Sequence, residues 1–301
     1  MTKILFYNHH ANGDLHVSRT FIKTIIDNCK QKDPNLEFIY SHKNDPVLLC
    51  DIPELKHDSE IYKKIDPHCG DFIFDDVFYI NTWYHCKNNI FGQYFDNSFD
   101  CLFYLFNEIA EFRLGFSFKQ YVPEILFPNI DFDFVEGIDH INSELEKYKG
   151  KKKVLIANGP AMSGQCANFP LLEPATKVIG TNDTIIIYTN EEEGLKLDER
   201  FIKSDTLFPA LKTKSNLMQH AYLSTFCDVI IGRASGVSTF AFNTENLFKR
   251  SPIIFNFSRL PKPNWLSKQF ENTIKYNAKV ERYEGSDPTK ILEHLERLII
   301  K

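Results

Sequence analysis

A chain of 301 residues exceeds the usual single-domain size, and a 43% hydrophobic share with 27 phenylalanines is enough for two cores. The formal net charge of -5 gives neither nucleic acid nor an anionic membrane a reason to bind. No run of about 18 apolar residues is present, so no transmembrane segment is expected.

Taken in order, Lys3 to Tyr7 reads as a compact first strand. Val17, Phe21, Ile22, Ile25 and Ile26 then recur at helical spacing, which predicts a helix with one face on the sheet. Leu36 to Tyr40 and Val47 to Leu49 read as the next strands, and Asp71 to Asn81 holds at least one more. Cys101 to Phe116 reads as a strongly apolar helix. Strand and helix alternate, which argues for a parallel sheet with helices on both faces. The chain enters its first strand without the apolar stretch of a signal peptide. Its seven cysteines, an odd number without paired spacing, fit reduced thiols, so a cytoplasmic location is expected.

Ligands of open α/β sheets gather at the carboxyl ends of strands. The loop after the first strand carries Asn8, His9, His10, Asn12, Asp14 and His16, with Gly13 expected to loosen the backbone before Asp14. Two roles fit Asp14: a helix cap, or a general base accepting a proton from an incoming hydroxyl. His10 and His16 are its rivals as the base. No metal site is expected, because His68-Cys69 and His85-Cys86 are adjacent pairs without the gap of zinc knuckles. Asp131-Phe132-Asp133 reads as a linker or a solvated strand edge.

From Gly137 to Lys153 the chain turns polar, which marks a joint between domains at 1–145 and 146–301. Lys153 to Ala157 restarts the strand pattern, followed by the turn Asn158-Gly159-Pro160, whose glycine permits close approach of a ligand. Thr184 to Tyr188 is a further strand and Asn216 to Phe226 a short helix. Val229-Ile230-Ile231 is a β-branched run suited to a strand buried on both faces. Arg233, Ser235 and Gly236 follow it, and Val237 through Phe248 reads as a helix. Small residues between a buried strand and a helix start suit a phosphate group, with hydroxyls from Ser235, Ser238 or Thr239. Arg233 fits a bidentate contact to a diphosphate, or a structural salt bridge. Pro252 to Phe257 and an amphipathic Leu292 to Ile300 complete the chain.

Lys3-Ile4-Leu5 through Gly13-Asp14-Leu15-His16, together with Asn216–Phe226, Asp228–Ile231 and Ser235-Gly236-Val237-Ser238, resembles the heptosyltransferase-like glycosyltransferases of the GT-B fold. The chain departs from that pattern at Arg233-Ala234, where the family has an acidic residue, and at Phe240, near its usual histidine. The resemblance implies two Rossmann-like α/β domains facing across a cleft. It also implies transfer of a sugar from a nucleotide-sugar donor to a hydroxyl of a glycan or glycoconjugate. Asp14 would be the base, with His9, Asn12 and Gly13 on the acceptor side. The donor would meet Ser235, Gly236, Val237 and Ser238, with Arg233, Asn158 and Gly159 as further candidates. No cofactor beyond the donor co-substrate is expected, and an inverting, metal-independent displacement is the simplest chemistry. A nucleotide-sugar 2-epimerase of the same fold and a non-catalytic sugar-nucleotide or glycan-binding module are the alternatives.

Overall fold

Residues 3–82, 89–90, 93–94, 127–161, 164, 166–178, 183–210, 214–234, 236–258, 277–285 and 287–300 are described by a computed structural model. They fall into two compact units, one ending at Asn129 and the other beginning at Ile130.

In the first unit, β1 (Lys3–Asn8) is buried along Ile4 to Asn8, as its unbroken apolar run requires of a central parallel strand. It leads into α1 (Asn12–Lys32), whose Leu15, Phe21, Ile22, Ile25 and Ile26 are buried. β2 (Glu37–His42) and β3 (Leu55–Asp58) continue the parallel sheet on one side, and β5 (Val77–Asn81) pairs with β1 on the other. β4 (Phe72–Phe74) closes the edge antiparallel, giving the order β3-β2-β1-β5-β4. Asp75 and Asp76 join β4 to β5 with φ of 47° and 61°, the paired left-handed geometry of a two-residue hairpin turn. β6 (Asn89–Ile90) and β7 (Gln93–Tyr94) form a short antiparallel pair. The helix expected over Cys101–Phe116, and His85 and Cys86, lie outside the described residues.

Val47–Leu49, expected as a strand, is instead a 3-10 turn, Pro46–Leu49. Pro46 sets the turn and Asp45 caps it, accepting from the Val47 N–H at 3.0 Å. Arg19 of α1 holds the Leu48 carbonyl and pairs with the buried Asp51, whose other oxygen takes Lys23 Nζ at 2.8 Å. The turn is thereby pinned to α1 instead of joining the sheet.

In the second unit, α2 (Ile138–Glu146) occupies the stretch expected as the joint and packs within this unit. Ile141 and Leu145 are buried, and Tyr222 Oη donates to Asn142 Oδ1 at 2.8 Å. The sheet is parallel throughout, in the order β10-β9-β8-β11-β12-β13. Its strands are β8 (Lys152–Ala157), β9 (Thr184–Tyr188), β10 (Phe201–Lys203), β11 (Val229–Arg233), β12 (Ile253–Ser258) and β13 (Lys279–Glu284). The order reverses between β8 and β11, which makes the carboxyl ends of these two strands a topological switch point. Val154, Ile156, Val229, Ile231, Phe255 and Phe257 pack on one face with α3 (Leu172–Val178) and α6 (Pro288–Ile300). The single helix expected over Val237–Phe248 divides in two. α5 (Gly236–Phe240) ends where Asn243 Nδ2 donates to the Phe240 carbonyl, and Asn243 Oδ1 accepts from Asn246 N–H, opening the π-helical turn Glu245–Arg250.

His220 on α4 (Leu217–Ser224) is buried, with Nδ1 2.9 Å from the Asn216 carbonyl and Nε2 2.8 Å from Ser204 Oγ. The carbonyl can only accept, so Nδ1 carries the proton and Nε2 accepts from the serine. Burial holds this imidazole down at about 4, below its ordinary 6.5. The unfolded chain therefore binds a proton that the native state refuses between those values. Stability is full above pH 6.5 and falls as pH drops toward 4, by about 3 kcal/mol for this group. Denaturant melts at pH 4.5 and 7 should show a smaller pH difference in His220→Asn than in the wild type; equal differences would rule out His220 as a source of the effect.

Candidate functional site

The loop from β1 into α1 is built from interlocking polar contacts. Asn8 is fully buried; its Oδ1 accepts from the His10 N–H at 2.7 Å and its Nδ2 donates to Thr82 Oγ1 at 3.1 Å. His9 places Nε2 at 2.6 Å from the Tyr62 carbonyl and 2.9 Å from that of Ile65, so its ring anchors the Tyr62–Ile65 segment. Asn12 and Gly13 are the first two residues of α1. Gly13 takes no positive φ, so the expected backbone looseness before Asp14 is absent: the residue is simply helical. His16 is 1% exposed and presents no surface to an incoming hydroxyl.

Asp14 is half-buried at the third position of the helix. The Ala11 N–H donates to Asp14 Oδ2 at 3.1 Å while the Asp14 N–H donates to the Ala11 carbonyl at 3.1 Å, a reciprocal cap. The cap from Ala11 engages Oδ2, and Oδ1 is the carboxylate oxygen outside that contact. Burial pushes the Asp14 carboxyl up to about 6, against the pull of the Ala11 amide and its own. That is the range in which a carboxylate works as a general base near neutral pH. Cap and base are thus compatible at this residue.

Beneath this loop lies a buried hydroxyl network that no sequence spacing reveals. Tyr40 Oη is 2.6 Å from Thr82 Oγ1 and 3.4 Å from Ser18 Oγ, bringing β2, α1 and the end of β5 together. Burial pushes the Tyr40 phenol up to about 12; contacts from Ser18, Thr82 and Asn8 pull it back, and the Asp14 charge adds to the rise.

In the second unit, the carboxyl ends of β8, β9 and β11 surround a pocket of about 670 Å³. Asn158 staples two of these ends. Its Oδ1 accepts from Thr189 N, Thr189 Oγ1 and Asn190 N at 3.1, 3.1 and 2.8 Å, and its Nδ2 donates to the Asn190 carbonyl at 2.6 Å and Glu192 Oε1 at 3.0 Å. Glu192 in turn accepts from the Leu171 and Leu172 N–H groups at 2.9 and 3.0 Å, occupying the start of α3. Gly159 fits beside Asn190, whose Oδ1 would lie 2.9 Å from an added Cβ. Glu191 pairs with Lys203 at 2.8 Å.

Arg233 is 2% exposed, and its guanidinium is committed to the pocket wall. Nε donates to the Ala167 carbonyl at 3.0 Å, Nη1 to those of Asn158 and Gly159 at 2.8 and 3.3 Å, and Nη2 to that of Phe169. The cation also sits 5.5 and 5.8 Å from the ring centres of Phe169 and Phe257. Four backbone carbonyls thus take hydrogen bonds that a bidentate contact to a diphosphate, one of the two roles expected from sequence, would use. The hydrogen-bond partners of Arg233 among the described residues are the carbonyls of Asn158, Gly159, Ala167 and Phe169.

Gly232 lets α5 settle on the sheet, since an added Cβ there would lie 2.8 Å from Ser238 Cβ and 2.9 Å from Ala157 Cβ. Ser238 is buried and accepts from Asn256 Nδ2 at 2.6 Å, so its hydroxyl oxygen faces the sheet. Gly236 is exposed, adopts φ of 51°, and has open space where a side chain would stand. Val237 is half-buried beside it, and Ser235 lies outside the described residues. The structure thus brings Asn158, Gly159 and Arg233 together, while Gly236 and Val237 are not among the described residues that line their pocket. Asp131 accepts from the Asp133 N–H at 3.2 Å in a local turn. Among the described residues no three His, Cys, Asp or Glu side chains converge to hold a metal ion, and no helix is long and apolar enough to cross a membrane.

No protein-family model matches the sequence, and no curated protein matches it. Solved structures do. The glycosyl transferase family 9 from Veillonella parvula DSM 2008 is similar with a TM-score of 0.51 at 11% identity, over 99% of this chain and 90% of that one. The E. coli ADP-heptose lps heptosyltransferase II gives 0.48 at 12% identity, over 99% and 98%. The iron-containing dodecameric glycosyltransferase TibC from enterotoxigenic E. coli H10407 gives 0.40 at 11% identity, over 88% and 60%. At these identities the likeness is one of fold: the chain has the GT-B-like class of two parallel-sheet α/β units found in the Veillonella glycosyl transferase.

Proposed function

We propose that the chain is a glycosyltransferase that moves a sugar from a nucleotide-sugar donor to a hydroxyl of a glycan or glycoconjugate. The observation that supports this most is the likeness in fold, over nearly the whole length, to the Veillonella family 9 glycosyl transferase. The half-buried Asp14, held near pKa 6 at the carboxyl edge of the first sheet, supplies the chemistry. Its Oδ1 takes the acceptor hydroxyl's proton as the acceptor oxygen attacks the anomeric carbon. The bond to the diphosphate breaks in the same displacement, which inverts the centre and needs no metal ion. The donor is carried by the second unit. Its diphosphate belongs at the Ser235–Gly236–Val237 turn, where an exposed glycine lets backbone N–H groups approach. The pocket beside Arg233 is rimmed by Glu173, Glu191, Glu192 and Glu193, whose charge repels phosphate and suits the uncharged, hydroxyl-bearing end of the donor. A cytoplasmic location belongs to the same reading.

A thermal-shift screen against UDP-, GDP-, ADP- and CMP-sugars tests it. One donor class should raise the melting temperature with concentration, by about 2.7 kcal/mol of stability at a hundred times its Kd. Gly236→Val should lose most of that rise. Its ligand-free stability should drop by only roughly 1–2 kcal/mol, the cost of a side chain in left-handed backbone. No rise with any donor would sink the donor assignment, and an equal rise in Gly236→Val would move the diphosphate elsewhere.

A further inference from the structure

A second cavity, of about 150 Å³, lies in the first unit between the ends of β2 and β3 and the Pro46–Pro53 segment. Leu49, Ile52 and Leu55 form its apolar wall, and Tyr40, His42 and His57 its polar one. A cavity of about this volume holds a benzene-sized molecule.

The polar wall carries hydrogen-bonding groups on two neighbouring imidazoles. His42 is 1% exposed, and its Nδ1 accepts from the Asn44 N–H at 3.2 Å, which places the ring proton on Nε2. His57 has its Nε2 3.2 Å from the His42 carbonyl, so Nε2 is the donor there, and the neutral ring offers Nδ1 as an acceptor. The two rings stand 4.5 Å apart at 59°. Burial, aided by His57, holds the His42 imidazole down at about 4, against pulls from the Asn44 amide and Asp45. Burial also pushes the Cys50 thiol up and the Tyr40 phenol to about 12, so these three wall groups are uncharged at neutral pH. A donor on His42 and an acceptor on the neutral His57 ring, on rings 4.5 Å apart in a lining shared with Leu49, Ile52 and Leu55, match a ring bearing a hydroxyl.

We propose that this cavity binds an uncharged six-membered ring carrying a hydroxyl, of the phenol class. The hydroxyl oxygen accepts from His42 Nε2–H and its proton goes to His57 Nδ1, while the ring fills the space beside Leu49, Ile52 and Leu55. Asn44, which fixes the His42 tautomer, also donates from Nδ2 to the His10 carbonyl at 3.1 Å, tying the cavity rim to the loop that carries Asp14. That tie makes the ring a candidate portion of the acceptor, a step that rests on the transferase reading; the site itself does not.

Saturation-transfer NMR on the full chain with phenol, benzoate and cyclohexane as probes tests the site without any donor present. Phenol should bind saturably with a Kd on the order of 1 mM, and benzoate and cyclohexane at least tenfold more weakly. Leu55→Phe, which fills the cavity from its half-exposed wall, should abolish phenol binding, and His57→Ala, at an exposed position, should weaken it severalfold. Absence of saturable phenol binding, equal binding of benzoate, or full binding in Leu55→Phe would each overturn the proposal. Because no donor is used, these failures leave the transferase reading standing, and a failure of transfer leaves this site standing.

Discussion

Asp14→Asn should lower sugar transfer roughly 10²–10⁴-fold, the usual worth of a general base, with donor affinity unchanged. The amide keeps the size of the carboxylate and still accepts from the Ala11 N–H, so the cap survives. What it loses is the ability to take a proton at Oδ1. Stability gives an independent control. The native carboxyl binds its proton more tightly than the unfolded chain, whose value is 3.8. Asp14 therefore contributes stability at low pH that is lost as pH rises through about 6. Asn, which stays neutral, should melt no lower than the wild type at pH 7. A helix cap without catalytic duty predicts the opposite activity result, full turnover in the variant. Turnover and melting temperature, measured beside His10→Ala and His16→Ala, decide between them. Normal turnover in Asp14→Asn with collapse in a histidine variant would transfer the role to that histidine.

Arg233→Lys should destabilise the second unit on the order of 4 kcal/mol, although it conserves the charge. Each buried carbonyl that loses its donor costs roughly 1–3 kcal/mol, and four carbonyls share this guanidinium. An ammonium is a point donor that cannot span the fork from Asn158 to Phe169. Denaturant unfolding followed by fluorescence measures the loss, and Arg233→Ala should be at least as damaging. If Arg233→Lys unfolds like the wild type yet no longer responds to donor, the guanidinium contacts the donor after all.

The contrast between these residues shows what the sequence could disclose. Buried parallel strands announce themselves, because Ile4-Leu5-Phe6, Val154-Leu155-Ile156 and Val229-Ile230-Ile231 must be apolar on both faces. Edge strands do not: Leu55–Asp58 and Lys279–Glu284 carry mixed polar residues without an apolar run to mark them, and both are strands. The carboxyl-edge loop was readable from its crowd of polar residues, but the partners of those residues were not. Tyr40, Ser18 and Thr82 meet only through the sheet, across separations of 22 and 42 positions. Arg233 is a similar case. An arginine just after a strand glycine has the local signature of an anion ligand, and its true partners lie 64 to 75 positions earlier. Val47-Leu48-Leu49 misled because three apolar residues cannot separate a strand from a capped turn, and Pro46 with Asp45 decided it.

The place of β11 between β8 and β12 has a consequence for how the second unit is made. The inner edge of β8 is completed by a strand whose entry, Asp228, hydrogen-bonds to Lys153 from 75 positions away. During synthesis that edge therefore stays open while the intervening loops, β9 and β10 emerge from the ribosome. Loop closure over such a span is slow compared with the local pairing of a hairpin. The nascent half-sheet meanwhile displays unpaired backbone beside Val154, Leu155 and Ile156, a template for neighbouring chains. Arrival of β11 caps that edge and brings Arg233 to the carbonyls of Asn158, Gly159, Ala167 and Phe169, so the strand that completes β8 is also the one that fixes the pocket wall.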